Sequence, residues 1–447
     1  MRPLRLWSIV AGAALLLACD RPRASAGSPG KAVPTSRPVD EAARPIELLT
    51  WWGKVGDSNP IEAFYAVHRR RYPLDLIVDA KTNLSDQARR TRKEQIESGE
   101  PPDVFQATIG KDHMQWVLTN GADARDSKVL ALDDVMADDV RAWRAVVPAR
   151  ILELVSFDGK LYGLPATVHR INAGYANRRV FREHGLDVPR SVADLLSAAE
   201  VLGAAGVPLV AIGAREPWAL RLLVFEGLLV ALDGADFYES YLAGKERADD
   251  PRVLEALRLG LALMRHANAD WDGLTWMQAA EMVARGKAAW TPAGDWAGVL
   301  FAPGELAPAG DVVETAFPGA EDTLVYTVDV FSATVAAKNL AGAERLLSTI
   351  GSEEGQRALS RIKGCLSPRS DVNAYDASPT QQRKARLLRD GRITLGAVSL
   401  AEPRFCEDVQ AALAEMVKQG DVEPVVQTLR SRYRLLSKAA DLATRPF

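Results

Sequence analysis

The sequence predicts an α/β protein organised around a parallel sheet. Two observations carry that reading. At the start of the body, short β-prone runs alternate with helical runs in the order strand, helix, strand, helix, strand, and a βαβαβ order requires parallel pairing. The composition is that of a globular chain with room for two or three domains, 47% hydrophobic and 25% charged over 447 residues.

The elements follow in order. Pro45-Ile-Glu-Leu-Leu-Thr-Trp-Trp reads as a strand ending at Gly53. Residues 59–72 combine a cap-like Asn59, a first-turn Pro60 and helical apolar spacing. Residues 74–79 (LDLIVD) form a second strand, 86–97 a polar helix, and 102–107 a third strand after a Pro-Pro break. Ligands favour the carboxyl ends of such strands, where Trp52 and Gln106 lie. Farther on, 188–202 is a capped helix, 207–213 a strand, 218–232 a long apolar helix, 251–267 and 275–285 helices, and 286–291 a glycine-bounded strand. Thr323–Ala333 is a strand, 338–350 and 353–362 are helices, and further helices follow from Asp376. No segment repeats at a fixed period.

The N-terminus reads as an address. Arg2 and Arg5 flank the start of an uncharged apolar run, 6–18, too short to span a membrane and of the right length for a signal peptide. It ends in Leu16-Leu17-Ala18-Cys19, which resembles a bacterial lipobox. That resemblance implies removal of residues 1–18 and lipidation of Cys19. An ordinary secretory signal cleaved nearby, or a short anchor, would export the chain equally. Residues 19–44 are rich in Pro, Ala, Ser, Gly and Arg without periodic apolar positions, so a disordered tether is expected there. The expected location is exported and lipid-anchored, periplasmic or on the cell surface.

Several classes are excluded. Lys+Arg 55 against Asp+Glu 58 leaves a net charge of −3, without the basic excess of a nucleic-acid binder. A mean hydropathy of −0.08 rules out a polytopic membrane protein. With Cys19 committed to the anchor, Cys365 and Cys406 remain, either as a disulfide in an oxidising compartment or as two buried thiols. Neither has metal-ligand spacing around it, and no cofactor or metal is expected.

Asp158-Gly-Lys-Leu-Tyr-Gly-Leu-Pro-Ala-Thr and Gly286-Lys-Ala-Ala-Trp-Thr-Pro-Ala-Gly-Asp-Trp-Ala resemble the two hallmark segments of family 1 extracellular solute-binding proteins. These are the substrate-binding components of ABC sugar importers. Leu48-Leu-Thr-Trp-Trp, Gly99-Glu-Pro-Pro-Asp-Val-Phe-Gln, 162–170 and Leu274-Thr-Trp-Met-Gln-Ala fall in the matching order. The resemblance runs from Pro45 to the C-terminus and is closest to the glucose/mannose-binding branch. It implies the periplasmic-binding-protein fold: two discontinuous α/β lobes joined by a hinge, with the ligand in the cleft between them. The expected partition is 45–164 plus 289–331 for lobe one and 165–288 plus 332–447 for lobe two. The implied partners are a sugar and ABC permease subunits. A monomer without nucleic acid, touching the membrane through its lipid anchor only, completes the expectation.

A sugar needs carboxylates, amides and cations at its hydroxyl edge and flat rings on its C–H faces. Alternation along the first strand places Trp51 and Trp52 on opposite sides, and Trp52 is favoured for the cleft. Gln106 matches the family's glutamine at the third strand end, and its amide suits a hydroxyl pair. His169 in Thr-Val-His-Arg matches a sugar-contacting histidine of the branch, while Arg170 reads as a supporting or hinge residue. Trp218 and Trp276 match positions that supply stacking rings, against core packing as the plainer role. Asp295 in Gly-Asp-Trp is the strongest candidate to accept two hydroxyls, its alternative being a turn-stabilising role. Asp329 interrupts an apolar strand and needs a donor. Lys363 is a candidate cation, or else a solvated loop lysine. His68, His113, His184 and His266 sit in polar stretches and read as solvated.

The sequence also departs from the branch. Where the branch carries a Glu after the paired tryptophans, only Asp57 is available, at shifted spacing. Thr108 stands in place of a second histidine, and Leu395-Gly-Ala-Val-Ser-Leu lacks a third. The sugar itself is left open. Three other readings stay beside the importer component: a ligand-sensing surface lipoprotein signalling to a membrane receptor, an interaction protein with a degenerate cleft, and an exported glycoside hydrolase. The last would need a carboxylate pair flanking the bond. The family has no such chemistry, and no catalytic motif is present; the expectation is no enzyme.

Overall fold

The computed structural model describes residues 44–53, 59–79, 84–119, 121, 123–301, 310–373 and 378–436. The expected signal peptide, Cys19, the tether and Asp57 lie outside the described residues.

The strands are β1 (Ile46–Leu49), β2 (Ile77–Asp79), β3 (Val104–Thr108), β4 (Ser156–Phe157), β5 (Lys160–Leu161), β6 (Leu164–Arg170), β7 (Ala173–Asn177), β8 (Trp290–Pro292), β9 (Val312–Ala316), β10 (Thr323–Ala333) and β11 (Arg392–Leu395). β1 lies parallel to β2 (Ile46 opposite Ile77) and to β3 (Leu48 opposite Val104). The βαβαβ opening thus builds the expected parallel sheet. β3 is buried along its whole length, as a central strand covered on both faces must be.

The long strand β10 joins two halves of the molecule. Its first half runs parallel to β11 (Thr323 opposite Arg392), and its second half runs antiparallel to β3 (Phe331 opposite Gln106). Its other edge takes β6 antiparallel, with a bulge between Asp329 and Val330. Bulges re-aim side chains, and this one falls at the only carboxylate on the strand. The hallmark Asp158-Gly159 is the turn of the β4–β5 hairpin, both residues at positive φ, the backbone that a two-residue hairpin loop demands. Gly163 is required by close approach, because a Cβ there would meet Val330 Cγ1 at 2.4 Å.

A second sheet has the order β8-β7-β9, all antiparallel. The expected strand at 207–213 is reduced to bridges at Val210 with Ala267 and Trp290. Its next residue pair is taken by a side chain instead: Ile212 N–H donates to Asn268 Oδ1 at 2.8 Å, and Asn268 Nδ2 donates back to Ile212 O at 3.1 Å. The expected helix 218–232 is present but changes pitch. An α-turn at Trp218–Arg221 passes into a π-helix, Leu222–Leu229, then into Val230–Leu242.

Two main apolar clusters define the lobes. One gathers Ile46, Phe64, Val104, Leu164, Val330, Leu346 and Leu359. The other gathers Phe181, Leu223, Tyr238, Leu257, Trp290, Phe317 and Phe405. This corrects the expected partition at two places. β8 and β9 pair with β7 in the second lobe, so Trp290–Pro292 and Val312–Ala316 do not belong with the first. Helices Leu340–Gly351 and Glu353–Lys363 pack in the first-lobe cluster with β1, not in the second lobe. The reason is that β10, not the 286–291 run, is the returning crossover. The C-terminal helices Pro403–Gln419 and Glu423–Arg432 do pack in the second lobe.

Candidate functional site

Between the lobes lies a cavity of about 160 Å³. It opens beside the crossing strands β6 and β10. Of the expected residues, Trp52, His169, Trp218, Trp276, Asp329 and Lys363 line it. Trp51 lines it as well. Alternation does not separate the two tryptophans because β1 ends at Leu49, before either one.

Asp329 is the centre of the site. Its Oδ2 accepts from Trp52 Nε1 at 3.0 Å and Thr167 Oγ1 at 2.9 Å. His169 Nε2 lies 3.4 Å away and Lys363 Nζ 3.8 Å away. Burial alone would push this carboxyl up, but the His169 hydrogen bond and the Lys363 charge overcome it and hold Asp329 well below the usual carboxylate range. Lys363 ends the helix Glu353–Lys363, which Gly364 terminates in the left-handed conformation. Its ammonium lies 4.0 Å from the Trp52 ring centroid, a cation–π placement. Burial lowers its pKa, and Asp329 offsets only part of that.

Asp295 and Gln106, both expected to touch ligand, do not line the cavity. Asp295 stands behind His169. Its Oδ1 lies 2.6 Å from His169 Nδ1, and its Oδ2 accepts from Arg170 N–H at 3.1 Å and Lys384 Nζ at 2.8 Å. Burial pushes its pKa up, but Lys384 and His169 outweigh this and lower it. With these three partners it orients the imidazole. His169 therefore sits between two carboxylates. Burial lowers its pKa, yet the Asp295 charge and the two hydrogen bonds raise it overall. Gln106 Oε1 accepts from Thr50 Oγ1 and, at 3.2 Å, from Trp51 N–H, so it holds the turn that presents the tryptophans. Arg170 crosses between lobes, donating to Asn172 Oδ1, Ala320 O and Thr323 O.

The second lobe supplies Trp218, Trp276 and Trp296. Trp276 is the first residue of helix Trp276–Ala284, fixed by a capping box: Gln278 N–H donates to Thr275 Oγ1, and Thr275 N–H donates to Gln278 Oε1 at 2.8 Å. Trp296 stands edge-on to both His169 (5.6 Å) and Trp218 (5.8 Å). Arg221 reaches the cavity from the start of the π-helix and pairs with Glu226, five residues on. A π-helix closes its hydrogen bonds over that spacing, and an α-helix would point the two apart.

Sequence reasoning missed Arg89, Glu216, Trp296 and Lys384. Arg89 packs over Trp51 at 5.1 Å and donates to Thr108 Oγ1 at 3.2 Å. Trp296 lies within the quoted Gly-Asp-Trp motif and carried a readable signal. Lys384 lies in the polar run Pro379–Asp390, where nothing marks it.

The remaining expectations divide. Cys365 and Cys406 are both buried free thiols, pushed up to about 12 and about 11 by burial. His68 and His113 are buried rather than solvated: His68 lies between Thr349 Oγ1 and Asp75 Oδ2, and His113 Nε2 lies 2.9 Å from Ser332 Oγ. Their helices, polar in sequence, turn these rings inward to polar partners. Among the described residues no cluster of His, Cys, Asp and Glu could hold a metal ion, and no helix is long and apolar enough to cross a membrane.

The chain is 29% identical, over 88% of itself and 88% of the relative, to an uncharacterised ABC transporter extracellular-binding protein of Pyrococcus horikoshii. It is 24% identical to a probable sugar-binding periplasmic protein of Rhizobium meliloti, over 75% of this chain and 78% of that one. Its fold matches a bacterial solute receptor described as having an exclusive preference for β-D-galactopyranose, with a TM-score of 0.73, 16% identity, and coverage of 90% of this chain and 99% of that one. Residues 81–357 match the family described as bacterial extracellular solute-binding protein. With two lobes, a cavity at their crossing strands and a family match over more than half its length, the chain belongs to the bacterial extracellular solute-binding proteins.

Proposed function

We propose that the protein is the sugar-binding component of an ABC importer, holding a monosaccharide or short oligosaccharide in the interlobe cavity and delivering it to a membrane permease. One observation carries the reading. Five tryptophans line a single cavity together with the buried Asp329, His169 and Lys363, the mixture of flat apolar faces and fixed polar groups that a sugar requires. The size agrees with one ring, since an apolar cavity of about 150 Å³ takes up a benzene-sized molecule. Charge agrees with a neutral ligand: Arg89 pairs with Asp86 and Asp112, Lys363 and His169 with Asp329, and Arg221 with Glu226. Among the described residues all four partners of Asp329 reach Oδ2, which leaves Oδ1 to accept a sugar hydroxyl. The family is extracellular, so the chain is exported; lipidation at Cys19 and a monomeric state belong to the same proposal.

The test is a thermal-shift screen of the purified chain against D-glucose, D-galactose, D-mannose, D-xylose and their disaccharides. Ligand at one hundred times its dissociation constant adds about 2.7 kcal/mol. A shift with one sugar class supports the reading. No shift with any member, while amino acids or polyols do shift the melting, overturns it.

A further inference from the structure

One glutamate that the sequence reading passed over bridges the two lobes at the mouth of the cavity. Helix Ser85–Glu97 belongs to the first lobe. Arg92 fastens it to β3 by donating to Gln106 O at 2.7 Å and Asp112 Oδ1 at 2.6 Å, and Ile96 packs with Leu49 and Phe105. Glu216 belongs to the second lobe. The backbone just before it is held there by Ala214 N–H to Trp271 O at 2.7 Å and Arg215 N–H to Leu274 O at 3.0 Å. Across the gap, Glu216 Oε1 accepts from Asp86 N–H at 2.9 Å and from Ser85 Oγ at 3.3 Å.

Among the described residues no side chain of the first lobe caps this helix; its N-cap position is Leu84, whose side chain has no acceptor. The first backbone N–H groups of a helix have no partner within it, and a side-chain oxygen normally takes one of them. Here the oxygen comes from the other lobe. Glu216 is 7% exposed and lines the cavity, so the bond lies in the cavity wall where the lobes meet.

We infer that Glu216 is a latch that holds the lobes together in the ligand-free chain: it caps helix Ser85–Glu97 in trans, and this contact breaks when the lobes part. The proposal deepens the solute-binding reading, because a latch of this kind sets how long a bound solute is retained. It also specifies the chemistry. The contact needs an acceptor oxygen and not a charge. Burial raises the Glu216 pKa, with the nearby Asp86 adding to it and Asp86 N–H and Arg89 only partly offsetting it. A glutamine presents the same oxygen without the cost of burying a charge, so Glu216→Gln keeps the latch and Glu216→Ala removes it.

The test needs no sugar, so its failure is distinct from failure of the sugar reading. Hydrogen exchange of the full ligand-free chain is followed by mass spectrometry on peptides spanning residues 84–92. The wild type protects the amide of Asp86. Glu216→Ala exchanges there on the order of tenfold faster, the loss of one hydrogen bond to a backbone donor. Glu216→Gln stays within about twofold of the wild type on the same scale. Equal exchange in the wild type and Glu216→Ala overturns the latch. Fast exchange in Glu216→Gln, with Glu216→Ala also fast, shows that charge is required and overturns the acceptor-only form.

Discussion

Replacing Asp329 should destabilise the protein even without ligand, and by an amount that depends on the replacement. Its Oδ2 takes the Trp52 indole N–H, the Thr167 hydroxyl and the His169 imidazole, and sits 3.8 Å from the Lys363 ammonium. Asp329→Ala leaves four donors facing one another with nothing between them. Breaking a buried pair by removing one partner costs about 3–5 kcal/mol, because the other charge stays buried and uncompensated. Asp329→Asn also removes the charge that compensates Lys363, but keeps an acceptor oxygen for Trp52 and Thr167; neutral bonds contribute about 0.5–1.5 kcal/mol each, so it should be more stable than the alanine variant by about 1–2 kcal/mol. The assay is urea denaturation of the ligand-free chain, followed by far-UV and near-UV circular dichroism. An alanine variant within about 1 kcal/mol of the wild type, on a scale where buried-pair breakage costs several, would refute the reasoning. So would an asparagine variant less stable than the alanine one.

Further outcomes follow from the same geometry. The raised pKa of His169 is a stability statement with a definite sign: its contribution is complete below the ordinary histidine value of about 6.5 and is lost as pH rises through the raised value. Melting temperature should therefore fall on the alkaline side of that value, and His169→Gln should lack that part of the slope in melting curves taken across pH. Thr275→Ala removes the cap that fixes Trp276 and should cost about 1 kcal/mol, with sugar affinity falling beyond what the control Gln278→Ala produces in calorimetric titration. Cys365 and Cys406 should react with a thiol reagent only after denaturation. A reductant should leave the melting temperature unchanged; a lowered value would show a disulfide between them.

Much of the fold was legible because local signals agreed with the global arrangement. Pro60 in a first helical turn and the Pro-Pro break ahead of β3 each have one physical meaning. The lobe boundary was not legible, since β8 and β10 look alike as isolated runs and only pairing reveals that β10 crosses. The π-pitch of Leu222–Leu229 was also hidden, because a run whose one polar residue is Glu226 carries no period to read. Within the site, residue types pointed to the right chemistry, but sequence could not rank them by distance from the cavity. Asp295 looked the strongest acceptor, yet the lysine that claims it, Lys384, comes from a helix 89 residues away with no motif of its own. Glu216 was invisible for a related reason: its partner is a backbone N–H in the other lobe.

The central claim is that the tryptophan-lined cavity holds a sugar. Five of the protein's ten tryptophans line it, so intrinsic fluorescence reads it directly. Titration with the monosaccharides that shift the melting temperature should change emission and saturate at one sugar per chain. In Trp276→Ala the affinity should fall by about tenfold or more, the equivalent of 1.4 kcal/mol of lost ring contact. Saturable binding that is unaffected by Trp276→Ala and by Asp329→Asn would contradict the account, because the sugar would then be held somewhere else.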